Sequence, residues 1–121
     1  MFIPNPVARL GEEKACQYLI KKGYKIIERN FRKGYGEIDI VSIHQNILVF
    51  TEVKTRTTSL HGGAIEAISS QKIKKLVRTA QFYKMINPKL PDALRIDAIL
   101  IDLNSNNEVI NFKHIENISG F

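Results

Sequence analysis

The sequence predicts an α/β protein organised on a mixed β-sheet, and three observations carry that prediction. Two segments with helical periodicity, 7–22 and 64–86, are interspersed with five runs rich in β-branched residues. The first three runs are joined by short turns, which suits an antiparallel meander, whereas the fourth is reached through the second helical segment, as a parallel pair requires. With 121 residues, 44% of them hydrophobic, the chain is expected to form one domain, 1–121, around its own core.

After Pro4 and Pro6, the first helix is expected from about Val7 to Lys22, stopped by Gly23. Counted from Glu12, Ala15, Cys16, Leu19 and Ile20 fall at i+3, i+4, i+7 and i+8, which puts Glu12 on the stripe that should face the core. A carboxylate there needs a metal, a lysine or water at the rim. Equally open at this point is an exposed first turn, where the helix dipole favours an acid.

Tyr24 to Phe31 reads as a first strand with irregular alternation, followed by the basic turn Arg32-Lys33-Gly34-Tyr35-Gly36. Ile38 to Ile43 and Ile47 to Val53 then read as a hairpin closed by His44-Gln45-Asn46, so that Asp39 is central in the sheet. Residues two apart on a strand share a face, roughly 6.5 to 7 Å apart, so Glu52 and Lys54 should project from the same side. If Asp39 lies near Glu52, two carboxylates converge beside an ammonium. Such a pair repels unless a cation lies between, and Mg²⁺, with Mn²⁺ as a substitute, prefers these oxygen ligands. Its remaining positions can take a phosphate oxygen and the attacking water, while the amine orients that water or meets developing charge. That is the chemistry of phosphodiester hydrolysis.

Thr55 to Gly63 lacks periodicity and is expected to be a loop, in which His61 is either solvated or a base. The second helix, Ala64 to about Ile86 with a possible restart at Ser69 or Ser70, puts Ile65, Ile73, Leu76, Val77, Ala80 and Tyr83 on one face. Lys72 and Lys75 flank that face, and Lys74 and Arg78 take the other. These basic residues suit either phosphate contacts or an ordinary solvated surface. The prolines of Asn87-Pro88-Lys89-Leu90-Pro91-Asp92 end the helix, and Leu94 to Leu103 reads as an inner strand. Glu108 to Ile115 reads as a final edge strand, and Asp97 is a weaker site candidate than Asp39.

A net charge of +6 and a pI of about 9.6 favour a polyanionic partner without separating nucleic acid from an acidic membrane or a merely soluble basic protein. Charge together with the acid and lysine motif makes nucleic acid the expectation. One cysteine, Cys16, rules out an internal disulfide and a cysteine-based zinc cluster and suits a reducing compartment. The start lacks a secretory pattern and no apolar run is long enough to span a bilayer, so a cytoplasmic protein with no membrane role is expected.

Gly36-Glu37-Ile38-Asp39 and Phe50-Thr51-Glu52-Val53-Lys54-Thr55-Arg56, preceded by Gly11-Glu12 with Ala15 and Tyr18-Leu19 and by Asn30-Phe31-Arg32, closely resemble the YraN-like family of small bacterial proteins. That family resembles a branch of the restriction-endonuclease-like superfamily, distantly similar to archaeal Holliday junction resolvases. The resemblance implies an αβββαβ core, metal-binding acids at Asp39 and Glu52, a catalytic lysine at Lys54 and an assisting glutamate at Glu12. It also implies a further polar residue at Gln71 or Lys72, and it leaves Glu37 without a role, although strand alternation puts Glu37 on the face of Asp39. Thr51 and His61 depart from the usual pattern. The function implied is Mg²⁺-dependent cleavage of DNA, with contacts from Arg32, Lys33, Arg56, Lys72, Lys74, Lys75 and Arg78; junction resolution would further require a homodimer. The alternative is a module that keeps the nuclease fold and only binds nucleic acid or a protein.

Overall fold

The computed structural model of the chain describes residues 5–33, 36–57 and 68–120. Its elements are α1 (Pro6–Lys21), β1 (Lys25–Lys33), β2 (Gly36–His44), β3 (Ile47–Thr57), α2 (Ser70–Ile86), β4 (Ala93–Leu103) and β5 (Val109–Ile115). The five strands form one sheet in the order β1-β2-β3-β4-β5. β1, β2 and β3 pair antiparallel, β3 and β4 parallel, and β4 and β5 antiparallel. The order αβββαβ, followed by one edge strand, is the arrangement expected of a restriction-endonuclease-like core.

Local chemistry sets the element ends. Asn5 caps α1 by accepting the Val7 N–H at 2.9 Å, and Pro6 occupies the first turn, where its missing donor costs nothing. Gly23 follows the helix at φ +92°, a left-handed exit that glycine adopts without penalty. Gln45 and Asn46, both at positive φ, close the β2–β3 hairpin as a two-residue turn. Ser69 caps α2, its hydroxyl accepting the Lys72 N–H, which is the restart anticipated from the sequence. His61 and the segment 64–67 of the expected second helix lie outside the described residues.

The two helices cover opposite faces. Ala15, Cys16 and Leu19 of α1 pack on Ile40, Val49, Ile99, Ile101 and Leu103, whereas Leu76, Ala80 and Tyr83 of α2 pack on Phe31, Ile38, Val41, Leu48, Phe50 and Ile96. Two expectations need correction. Ile20 is 59% exposed, because the contact of α1 runs through the narrower stripe of Gly11, Ala15, Cys16 and Leu19. Thr55 to Thr57 are strand rather than loop, since parallel pairing with β4 continues to Thr57↔Leu103.

Gly11 lets α1 lie close to the sheet: a Cβ built on it would fall 1.7 Å from the Thr55 Oγ1. This contact brings the next residue, Glu12, to the point where β2 and β3 separate.

Candidate functional site

β3 keeps the strand period of two throughout, with Ile47, Val49 and Val53 against the α1 side and Leu48 and Phe50 against the α2 side. β2 does not. Ile38 is buried on the α2 side and Ile40 on the α1 side, so the alternation breaks at Asp39. The same break occurs on β1, where Arg29 reaches Glu12 and Glu13 of α1 while Phe31 packs under α2. Between them stands Asn30, at φ +54°.

Pairing of β2 with β3 stops at Ile40↔Thr51, and beyond that rung the Val53 amide is met by a side chain: it donates to the Asp39 Oδ2 at 2.8 Å. The Asp39 carboxyl is thereby held in the opening of the fork, where it faces the carboxyl of Glu52 across the same cleft. Glu52 is itself only 8% exposed. Burial and the facing Glu52 charge push the Asp39 carboxyl up to about 8, overcoming the opposite pull of the Val53 amide.

Glu12 and Lys54 line the same open cleft as Asp39 and Glu52. Because α1 begins at Pro6, Glu12 lies beyond the first turn, which disposes of the exposed first-turn alternative. Its carboxyl is raised by burial and by Asp39, against a hydrogen bond from Asn30 and the Arg29 guanidinium, whose Nη2 is 3.9 Å away. Lys54 is exposed on the cleft wall and forms no ion pair among the described residues. The four residues singled out in the sequence thus share one solvent-facing site.

The second cation of the site comes from α2, where Lys72 Nζ lies 3.3 Å from Glu52 Oε2. Arg32 lines the cleft and binds Glu37 at 2.7 Å, so Glu37 sits beside the site as one partner of an ion pair. Arg56 turns instead toward the buried Asp102, 3.4 Å away. Lys33, Lys74, Lys75 and Arg78 are exposed and are not among the described residues lining the cleft. Asp97 is separate: it is fully buried in a lock with Arg95, His114 and the Asn117 amide.

Among the described residues, no three His, Cys, Asp or Glu side chains come together as a ready-made metal cage. The donor set that does converge is two carboxyl groups on the wall of an open cleft. That suits a hard cation such as Mg²⁺, which keeps several waters and takes one or two protein carboxylates, and argues against a dehydrated structural ion.

Comparison with known proteins gives the chain its place. The pattern of UPF0102, described as an uncharacterised protein family, matches residues 11–101. The chain belongs to this family. Among its relatives is a UPF0102 protein of Clostridium novyi, 44% identical over 115 residues that cover 93% of this chain and 94% of the relative. Another, from Chlorobium phaeobacteroides, is 38% identical over 96% of this chain and 95% of its own length. A solved structure of SfsA from Pyrococcus furiosus, in complex with Ca²⁺, aligns with a TM-score of 0.40 and 19% identity. That alignment covers 87% of the present chain but only 62% of SfsA.

In this UPF0102 protein the site includes two residues to which sequence reasoning gave no role. Arg29, hydrogen-bonded to Glu13 at 3.2 Å and facing Glu12, carried no signal beyond its charge. Asn30 did carry one: an asparagine, which tolerates the left-handed region better than most residues, within a strand of irregular alternation.

Proposed function

We propose that this protein is a Mg²⁺-dependent endonuclease that hydrolyses DNA phosphodiester bonds. One observation carries the reading: the carboxyl groups of Asp39 and Glu52 meet in a solvent-open cleft that Lys54 and Glu12 also line. Asp39 and Glu52 would hold the ion, and the raised proton affinity of Asp39 would set its proton in competition with the metal. When bound there, Mg²⁺ or Mn²⁺ supplies Lewis acidity toward a phosphate oxygen and a more acidic water. The Val53 amide fixes the orientation of the Asp39 carboxyl. Lys54 offers its ammonium to the phosphate or to the attacking water, and Glu12, steadied by Arg29 and Asn30, adjusts the charge of the pocket. The basic α2 face with Lys74, Lys75 and Arg78 holds flanking phosphates.

The test is incubation with branched, single-stranded and duplex DNA in Mg²⁺ or Mn²⁺. Wild type is expected to cut at least one substrate, with the activity lost in D39A, E52Q and K54A. Equal backgrounds in wild type and D39A overturn the proposal.

A second reading is favoured by Lys72, whose ammonium already balances Glu52 without any metal. In that case the protein binds nucleic acid or another protein with a retained nuclease fold. Salt-sensitive DNA binding that E52Q leaves intact, with no cleavage, would select it.

A further inference from the structure

Asn30 is the one residue inside a strand with positive φ among the described residues; the others lie in turns or beyond element ends. The rung at which it stands is bracketed by Arg29↔Ile40 and Phe31↔Ile38, which puts Asp39 opposite it on β2. At that rung both strands exchange their faces. Arg29 and Ile40 serve the α1 side, whereas Phe31 and Ile38 serve the α2 side. With Ile38 and Ile40 each fully buried on opposite sides, Asp39 is left to turn within the sheet plane toward β3. There it meets the Val53 amide and Glu52. Asn30 itself lines the same cleft as Glu12, Asp39 and Glu52.

We propose that Asn30 is a positioning residue for the site: its left-handed backbone lets β1 and β2 exchange faces at this rung and so aims Asp39 at Val53 and Glu52. The inference builds on the reading of Asp39 and Glu52 as the functional pair. Few residues accept that backbone. Alanine and β-branched residues resist the left-handed region, whereas asparagine and glycine accept it, and aspartate would add a third negative charge beside Glu12 and Asp39.

The test compares wild type, N30G and N30A by amide NMR, with Val53 as the reporter because its N–H donates to a carboxylate. N30G is expected to keep the Val53 amide shift and its slow exchange. N30A is expected to speed that exchange by at least about tenfold while Leu48 and Ile99 amides, deep in the sheet, stay protected. An unchanged Val53 amide in N30A overturns the proposal. So does its loss in N30G, a result that decides the matter even if N30A does not fold. In a parallel arm, Mn²⁺ affinity measured by calorimetry is expected to fall about tenfold to a hundredfold in N30A and less in N30G. If wild type itself binds no Mn²⁺, the endonuclease reading fails, whereas the Val53 amide still decides whether Asn30 positions Asp39.

Discussion

Lys72 Nζ lies 3.3 Å from Glu52 Oε2, so an ammonium delivered by α2 already balances one of the two acids at the fork of β2 and β3. Glu52 is nearly buried while the Lys72 side chain is 41% exposed, and the pair therefore stabilises modestly. K72M is expected to lower metal-free stability by about 1 kcal/mol. It should also tighten Mn²⁺ binding by about threefold to tenfold, because a competing positive charge has gone. Thermal unfolding with and without Mn²⁺ checks both effects, and weaker Mn²⁺ binding in K72M would count against this role for the lysine.

The raised proton affinity of Asp39 has a consequence for stability. The folded state holds this proton more tightly than the unfolded chain, so the contribution is full in acid and is lost as pH rises through about 8. D39N carries no charge and keeps an acceptor for the Val53 amide. With chelator present it should exceed wild type at pH 8 and above, on the order of 2 kcal/mol, since each tenfold change in proton affinity is worth about 1.4 kcal/mol. The difference should vanish near pH 4. Thermal melts across that range give the answer, and a D39N variant less stable than wild type at pH 8 would refute the repulsion.

Asp97 titrates in the opposite sense. Burial alone would raise it, yet hydrogen bonds from His114, Arg95 and the Asn117 amide overcome that effect and hold it below the usual carboxylate range. The stability it supplies is present above about pH 4 and disappears as pH falls below the ordinary carboxylate value. D97N is expected to cost about 3 kcal/mol at neutral pH by leaving Arg95 imperfectly paired. Mn²⁺ affinity of the folded variant should stay within about twofold of wild type, since Asp97 lies outside the cleft. Urea unfolding and calorimetry on one sample separate the two.

Gly11 offers a purely steric test. A methyl group there would fall 1.7 Å from Thr55 Oγ1, so G11A must push α1 off β3 and carry Glu12 with it. The expected loss is about 1–3 kcal/mol, the usual range for overpacking. G11A with T55G should recover part of it, and an unperturbed G11A melting curve would contradict the close contact.

The strands and helices were legible because each rests on local rules, namely period-two runs, turn residues and caps, and so was the shared face of Glu52 and Lys54. Glu12 and Asp39 were assigned to the site through the family resemblance, since spacing alone left Glu12 evenly divided between the core stripe and an exposed first turn. The rest depends on partners distant in the chain. The extension of β3 to Thr57 comes from β4, which no local pattern at Thr55 announces. The Lys72 to Glu52 contact requires knowing how α2 lies on the sheet. The face exchange at Asn30 and Asp39 runs against simple alternation, which would have turned Asp39 to one face rather than toward Val53. Asp97, ranked low on sequence, turned out to anchor β5 and the following turn through His114 and Asn117, a structural duty that only the assembled sheet reveals.

The central claim is that Asp39 and Glu52 together take up a divalent cation. Calorimetric titration of wild type and D39N with Mn²⁺ at pH 8 tests it most directly. One ion per chain is expected for wild type, with proton release, and a loss of at least about a hundredfold in affinity for D39N, which removes one of two charged ligands. Equal binding by the two proteins, or none by wild type, would contradict it.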